Sequence, residues 1–233
     1  MSLIIATHQP NYIPWLGYFF KFSKVDVFVF LDDIQFSKTG AHNYHYIKTP
    51  EGPLKLKIPV THRFVDPIIN VKTNDHGGWK IRHLAELEKY YKKAPFFDEI
   101  MEDFTKILLT DYDNLSDLNV AIILFIASKF GFNPKIVYSS TLKLESRSEQ
   151  KIIDICKALN ATVYYSGRGA MAYQDEGNFT KEGIQLIYDI FTPTDYPQLY
   201  GEFQKNVTVL DFLMNHGYNW EYYKKLLFEK GIV

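Results

Sequence analysis

The hydrophobic and polar positions of this chain fall into blocks that predict strands and helices in alternation. Apolar runs of strand length lie at residues 3–6 and 27–31, and a helical pattern spans residues 15–24 between them. Pro10 and Pro14 forbid continuation of the first strand. Short continuous apolar runs are typical of strands buried on both faces of a parallel sheet. These elements therefore predict a β-α-β unit with a right-handed connection.

The same two kinds of pattern continue to the end of the chain. Strands are predicted at residues 136–138, 162–165 and 184–187, and helices at three places within 79–131, at 146–159, at 209–214 and at 220–228. A turn-rich link at residues 49–53 predicts a hairpin of strands 44–48 and 54–60, placed at the sheet's edge or over the site. Ser146 to Glu149 has the spacing of a capping box, and Gly131 is a predicted helix C-cap.

These elements predict an α/β fold with a mainly parallel sheet of about five strands flanked by helices. The β-hairpin and a helical insertion at residues 79–131 are added to that sheet. We assign residues 1–233 to one domain with one main core, closed by C-terminal helices at 208–233, because the length suits a single sizeable core.

Composition narrows the functional classes. The chain is 46% hydrophobic and 23% charged with a formal net charge of −1, which argues against an extended interface with nucleic acid or an anionic membrane. Cys156 is the single cysteine, so no intrachain disulfide forms, and its apolar neighbours indicate core packing. Neither a signal peptide nor a membrane-spanning run is visible, so we expect a cytoplasmic protein.

Polar residues follow several predicted strands, and in open parallel sheets ligands bind beyond the carboxyl ends of the strands. If these ends converge, one crevice receives an imidazole, two carboxylates, hydroxyls, a guanidinium and a flexible turn. We predict that His8, Asp32 or Asp33, Ser139 and Arg168 lie at the same end of one sheet. The candidates by strand are His8, Asn11 and Trp15 after the first strand, Asp32 and Asp33 after the second, Ser139 and Ser140 after a later one, and Ser166, Gly167 and Arg168 after the next.

Each candidate also has a purely structural interpretation. His8 could be a satisfied core histidine, Asp32 and Asp33 could solvate a strand end, and Ser139 with Ser140 could form a turn. Gly167 lets backbone N–H groups approach an anion, and Arg168 supplies a bidentate donor for phosphate or carboxylate. The surrounding sequence matches neither the full dinucleotide fingerprint nor a P-loop.

A second group of candidates lies away from the predicted strand ends. His42 and His45 are three residues apart and do not share a face of a regular strand, so we predict that no metal is required. Trp79 and His83 share a helical face, where either both line a pocket or Trp79 packs against the insertion's core with His83 at the surface. Tyr196 and Gln198 could order a sugar by stacking and hydrogen bonding. The remaining candidates for substrate binding are Asn43, His45, Lys48 and Tyr173.

The run from His8 to Phe19, followed by the run from Lys24 to Asp33, resembles the opening of the WbqC-like family, bacterial proteins often associated with O-antigen and other surface-polysaccharide loci. The resemblance continues through nearly the whole chain, at Trp79, His83, 138–140, 164–167, Tyr173, 179–184, 196–198 and 209–213. Where an Asn-Arg-Asn-like element is expected, this chain has Asn43, Tyr44 and His45. It therefore lacks that arginine, in a loop predicted to contact substrate.

The resemblance implies a cytoplasmic enzyme, a transferase or ligase that acts on a sugar nucleotide in the biosynthesis of surface-polysaccharide precursors. Transfer of an acyl or aminoacyl group to a nucleotide-linked amino sugar would suit such a pathway. His8, Asp32 and Asp33 would be catalytic, with His8 as general base or as a donor to the transition state, and Arg168 would hold a phosphate. No cofactor is required beyond a nucleotide or acyl donor. The expected partners are the sugar nucleotide, pathway enzymes or a second copy of the chain. The alternative is a non-catalytic sugar-nucleotide or glycan-binding protein, or a scaffold, of the same pathway.

Overall fold

The structure, a computed structural model, describes residues 2–232. The strands in chain order are β1 (Ile4–His8), β2 (Val27–Phe30), β3 (Tyr44–Thr49), β4 (Gly52–Lys57), β5 (Val60–Thr61), β6 (Lys72–Thr73), β7 (Lys135–Tyr138), β8 (Val163–Ser166) and β9 (Gln185–Tyr188). The α-helices are α1 (Leu16–Phe22), α2 (Trp79–Tyr91), α3 (Phe97–Leu109), α4 (Leu115–Lys129), α5 (Ser148–Ala158), α6 (Glu176–Lys181), α7 (Val209–His216) and α8 (Trp220–Glu229).

Five of the strands form one parallel sheet in the order β7-β2-β1-β8-β9. β1 lies at its centre, with Ala6 opposite Phe28 of β2 and Ile5 opposite Tyr164 of β8. All four residues of β2 are buried, as its uninterrupted apolar sequence indicates. The predicted α/β class and the five-stranded parallel sheet are confirmed.

The chain divides into two compact units, each built from three stretches of sequence. The first contains residues 2–9, 17–34 and 132–191, and the second contains residues 10–16, 35–131 and 192–232. The assignment of residues 1–233 to one domain stays a prediction.

The first unit contains the parallel sheet, with apolar layers on both faces. On one face Val29, Tyr164 and Cys156 belong to the core that the sheet forms with α5 and α6. On the other, the ring of Phe22 from α1 stacks on Phe28 with 3.9 Å between centroids. Alternation along each strand sends neighbouring side chains to opposite faces, which explains why both layers come from the same short strands. The predicted packing role of Cys156 is confirmed, and burial raises its thiol pKa to about 12.

The second unit contains the remaining helices and two small antiparallel sheets. The predicted hairpin is confirmed as β3 and β4, with Tyr44 opposite Lys57. It forms a sheet of its own, so it is not an edge of the parallel sheet. The three helices predicted within residues 79–131 are α2, α3 and α4, and Gly131 after α4 has φ +82°, as a glycine C-cap requires.

The predicted capping box at Ser146 to Glu149 is wrong. The N-cap residue of α5 is Arg147, which makes no side-chain capping bond, and Ser148 begins the helix with φ +51°. Glu149 accepts hydrogen bonds from the backbone N–H of Asp175 and the Nδ2 of Asn178 instead. A contact with a segment distant in sequence therefore takes the carboxylate that the motif would have used.

The short elements β5, β6 and α6 were not predicted from the sequence, because they contain too few residues to show a period. The first strand ends at His8 rather than Ala6. No helix between residues 2 and 232 has both the length and the apolar character needed to cross a bilayer.

Candidate functional site

The carboxyl edge of the parallel sheet has a topological switch point between β1 and β8. From central β1 the chain continues to β2 and β7 on one side, and then to β8 and β9 on the other. Ligands of open α/β sheets bind at the carboxyl ends of the strands where the order reverses in this way. The prediction that His8, Asp32, Ser139 and Arg168 share one end of the sheet is confirmed, because all four lie at or directly after the ends of parallel strands.

His8 is the last residue of β1 and is partly buried. Its Nδ1 lies 3.1 Å from the carbonyl oxygen of Gln9, and its ring lies 4.5 Å from that of Tyr18. A carbonyl only accepts hydrogen bonds, so Nδ1 carries a proton and donates a hydrogen bond to the carbonyl of Gln9. In the neutral ring Nε2 is then the nitrogen that can take up a proton, which is the chemistry expected of a general base.

The β8 end carries the run Ser166, Gly167 and Arg168. Ser166 is buried, and its hydroxyl donates a 2.7 Å hydrogen bond to Oε1 of Gln174. This hydrogen bond connects the end of β8 to the loop that follows it. Arg168 is exposed at the start of a 3₁₀ turn, and Tyr173 is 70% exposed in the same loop. Of this run, Gly167 and Arg168 are thus the residues left to meet a ligand.

Lys21 and Asp189, which were not among the sequence candidates, also lie beside this edge. Lys21 is in α1 and only 6% exposed, and a Cβ added to Gly167 would lie 3.4 Å from its Nζ. Asp189 follows β9 and is 8% exposed. It accepts hydrogen bonds from the backbone N–H of Phe191 at 2.7 Å and the hydroxyl of Tyr165 at 3.2 Å. A lysine flanked by phenylalanines in an otherwise apolar helix was the signal that could have identified Lys21.

Burial dominates the protonation of both groups. Burial lowers the pKa of Lys21 from 10.5 to about 8, although the negative charge of Asp189 opposes the change. Burial raises the pKa of Asp189, against the opposing effects of its hydrogen bonds and of the cationic Lys21 and Arg168. The edge therefore contains an amine that titrates much closer to neutrality than an ordinary lysine.

Asp32 and Asp33 join the ends of β2 and β7. Asp32 is 1% exposed and accepts from the backbone N–H of Ser140 at 2.9 Å and from its hydroxyl at 2.6 Å. Asp33 accepts from the hydroxyl of Ser139 at 2.5 Å and from Nζ of Lys151 at 2.7 Å. These bonds give both carboxylates and both serines a structural role, and their catalytic and binding roles stay predictions.

In the second unit, the hairpin candidates are buried. Nδ2 of Asn43 donates to the carbonyl of Ile58 at 2.8 Å, and Nζ of Lys48 donates to the carbonyl of Glu202 at 2.5 Å. Burial lowers the pKa of His45 to about 4, so its ring is neutral near neutral pH. The candidate side chains Asn43, His45 and Lys48 are therefore buried within the second unit, whereas Lys55 and Lys57 of β4 are exposed.

Three asparagines and His45 leave buried polar atoms without a hydrogen-bond partner within residues 2–232. These atoms are the Oδ1 atoms of Asn11, Asn43 and Asn119 and the Nδ1 of His45; Glu86 Oε2 and Ser146 Oγ are in the same state elsewhere in the described residues. Nδ2 of Asn119 donates to the carbonyls of Pro10 and His42 at 2.9 and 2.7 Å, so the amide of Asn119 links the two backbone segments that carry Asn11 and Asn43. Three amide oxygens in this state would accept hydroxyl or amine donors.

Trp79 and His83 are both buried on α2, so the alternative in which His83 lies at the surface is wrong. The hydroxyl of Tyr12 lies 2.9 Å from Nδ1 of His83, and the indole N–H of Trp79 donates to Asp75 at 2.6 Å. Burial lowers the pKa of His83 to about 4. Tyr12 and Asp75 therefore satisfy Nδ1 of His83 and the indole N–H of Trp79, as is usual for buried polar atoms.

Tyr196 and Gln198 belong to the interior of the second unit. The hydroxyls of Tyr196 and Tyr91 donate to the two carboxylate oxygens of buried Asp211, at 3.0 and 2.7 Å. Gln198 pairs with Gln204 through its own side-chain amide and the backbone of Gln204. Trp15 lies just before α1 and is partly buried. Sugar contacts by these residues stay predictions.

Among the residues that the structure describes, no three His, Cys, Asp or Glu side chains cluster as metal ligands would. That no metal is required stays a prediction.

Comparison with known proteins gives one family and one relative. The sequence model of the WbqC-like protein family matches residues 9–222. An uncharacterized protein of Mycobacterium tuberculosis is 34% identical over 217 residues, which cover 91% of this chain and 94% of that protein. The family match includes almost every candidate residue of both units, from Asn11 to Gln198.

Proposed function

The chain belongs to the WbqC-like protein family, and on that premise we propose that it is an enzyme of surface-polysaccharide precursor biosynthesis that acts on a nucleotide-linked sugar. The observation that carries the proposal is the switch point between β1 and β8, where His8, Gly167 and Arg168 lie at one edge of a parallel sheet. Folds of this class bind nucleotides at such a point. The association of the family with O-antigen and other surface-polysaccharide loci supplies the pathway.

The reaction we propose is acyl or aminoacyl transfer to the amino group of the sugar. The amine attacks the carbonyl carbon of the donor, a C–N bond forms, and the bond from that carbon to the leaving group breaks. The amine proton passes to Nε2 of His8, because Nδ1 already donates to Gln9. Arg168 holds a phosphate of the nucleotide. Asp32 and Asp33 would act on this chemistry indirectly, by fixing the neighbouring strand ends.

We propose that the activity is cytoplasmic, since nucleotide sugars are the expected substrates, and that other pathway enzymes or a second copy are the protein partners. A panel of nucleotide sugars and acyl donors, screened by thermal unfolding, tests the substrate class. A ligand at 100 times its dissociation constant stabilises the fold by about 2.7 kcal/mol. A panel in which free nucleotides, sugars and nucleotide sugars all leave the melting temperature unchanged would contradict the proposal.

A second candidate is a non-catalytic protein that binds the same sugar nucleotide. It is favoured by one observation: the acceptor that faces Nδ1 of His8 is the backbone carbonyl of Gln9. A carboxylate partner would stabilise the protonated ring during proton transfer, which a carbonyl does less strongly. Mass spectrometry of the ligand after incubation with acyl donors separates the two candidates, because only the enzyme changes the ligand's mass.

A further inference from the structure

Lys21 is an amine in an unusual position for a charged group. It is 6% exposed, on a helix whose neighbouring side chains are aromatic. No hydrogen bond or ion pair between residues 2 and 232 reaches its Nζ. Burying an ammonium group is costly unless an opposite charge and hydrogen-bond acceptors replace the lost water. The protein has thus placed a cation where its own residues leave it unsatisfied.

The surroundings of Lys21 indicate what would satisfy it. Its Nζ lies against Gly167, at 3.4 Å from the position that a Cβ would occupy. Arg168 follows directly, and no side chain of the described residues forms an ion pair with its guanidinium. Asp189 is the single carboxylate whose charge acts on Lys21. Two cations against one carboxylate leave a net positive charge at the switch point.

We propose that Lys21, together with Gly167 and Arg168, forms a phosphate-binding subsite at the carboxyl edge of β8. The ammonium of Lys21 meets phosphate oxygens as a buried point charge, and the guanidinium of Arg168 closes the subsite from the exposed side. The missing side chain of Gly167 leaves the space through which a phosphate approaches Lys21. The inference rests on the proposed function only in one respect: the molecule that carries the phosphate is taken to be a nucleotide-linked sugar.

Phosphate suits this arrangement better than a carboxylate does. A dianion matches two cations, and its oxygens can meet donors from opposite directions, whereas a carboxylate offers two oxygens in one plane. Phe191 and Tyr165 both donate to Oδ1 of Asp189, and among the described residues no ion pair joins this carboxylate to Lys21, although its charge acts on the amine. An anion from outside the chain would supply the close partner that Lys21 lacks.

Titration calorimetry with inorganic pyrophosphate tests the subsite. We expect saturable binding to the native protein that weakens at least tenfold in Lys21→Met and in Gly167→Ala. Gly167 has φ −77° and its added Cβ would meet only Nζ of Lys21, so alanine fits the fold while it obstructs the anion. Gly169→Ala is the matched control, since nothing lies within 4 Å of its Cβ. Lys157→Met, at a half-exposed lysine paired with Glu182, controls for lost charge.

A measurement on the unmutated protein covers the case in which a variant fails to fold. The side-chain NMR resonance of Lys21 should shift on addition of pyrophosphate and stay in place on addition of acetate. Acetate that shifts Lys21 as strongly would overturn the choice of phosphate. Pyrophosphate that binds Lys21→Met as tightly as the native protein, or that leaves the Lys21 resonance in place, would overturn the subsite.

The subsite and the proposed function can fail separately. If a nucleotide sugar is bound or converted equally well by Lys21→Met, the function stands and the subsite is wrong. If pyrophosphate binds in a Lys21-dependent manner while every nucleotide sugar fails to bind, the subsite stands and the proposed function is wrong.

Discussion

Replacing Lys21 by methionine should make the protein more stable, although it removes a residue of the candidate site. Burial lowers the pKa of Lys21 from 10.5 to about 8. Each unit of difference between the folded and unfolded pKa corresponds to 1.36 kcal/mol, so keeping this amine charged costs the fold about 3 kcal/mol. The opposing attraction to Asp189 is already included in that value. Methionine has a similar shape and carries no charge, so the cost disappears.

The gain should depend on pH in a defined direction. Between about pH 8 and pH 10.5 the unfolded chain keeps the Lys21 proton while the folded protein has lost it. The unfolded state then binds more protons, so the free energy of unfolding of the native protein rises with pH across this interval. Lys21→Met lacks this rise. The variant should therefore be about 3 kcal/mol more stable below pH 8 and no more stable than the native protein above pH 10.5.

Urea unfolding at several pH values between 7 and 10.5 gives the free energy of unfolding of both proteins. Subtracting one value from the other at each pH cancels the contribution of the groups that titrate in both proteins. Lys157→Met is the control, because Lys157 is half exposed and its substitution should change stability by less than about 1 kcal/mol. A variant that is less stable than the native protein at pH 7, or a difference that is constant over the interval, would refute the reasoning.

Three other substitutions test the remaining roles. His8→Asn should lower turnover by about 10²–10⁴-fold with folding preserved, once a substrate is known, and an unchanged rate would remove His8 from the mechanism. Asp32→Asn should destabilise the protein by about 1–3 kcal/mol, because the amide nitrogen that replaces one carboxylate oxygen cannot accept a hydrogen bond from Ser140. An unchanged free energy of unfolding in urea would argue against that network. Gly40→Ala should lower the melting temperature at a cost of about 1–3 kcal/mol, because its Cβ would lie 2.8 Å from Nε2 of His42; an unchanged melting temperature would mean that His42 moves freely.

Local pattern was enough to predict the strands and their shared edge. Val27–Phe30 is buried on both faces. A strand of that kind is continuously apolar, so its own residues are enough to predict it. His8 was found because it follows such a strand and precedes the prolines that end it. Parallel pairing then puts the carboxyl ends of all five strands at one edge of the sheet, so the placement of His8 and Arg168 at that edge follows from fold class alone.

Partners distant in sequence account for what was missed. Asp32 and Ser140 are 108 residues apart, so nothing local shows that a serine already satisfies this carboxylate. The same holds for Glu149, whose apparent capping role is lost to Asp175. Lys21 was missed for another reason: a lysine in a helical pattern is taken for a surface residue, although here its phenylalanine neighbours are the local signal that it is buried.

The alternation of the chain between two units limits how the protein can be cut into pieces. Each unit is assembled from three separate stretches, and residues 10–16 of the second unit fall between two stretches of the first. A truncation from either end therefore cannot remove the whole of one unit without also removing part of the other. To produce one unit as an independent polypeptide, a gene would have to join its stretches through new linkers. Nested deletions, the usual way to assign a function to part of a protein, are unsuited to this chain.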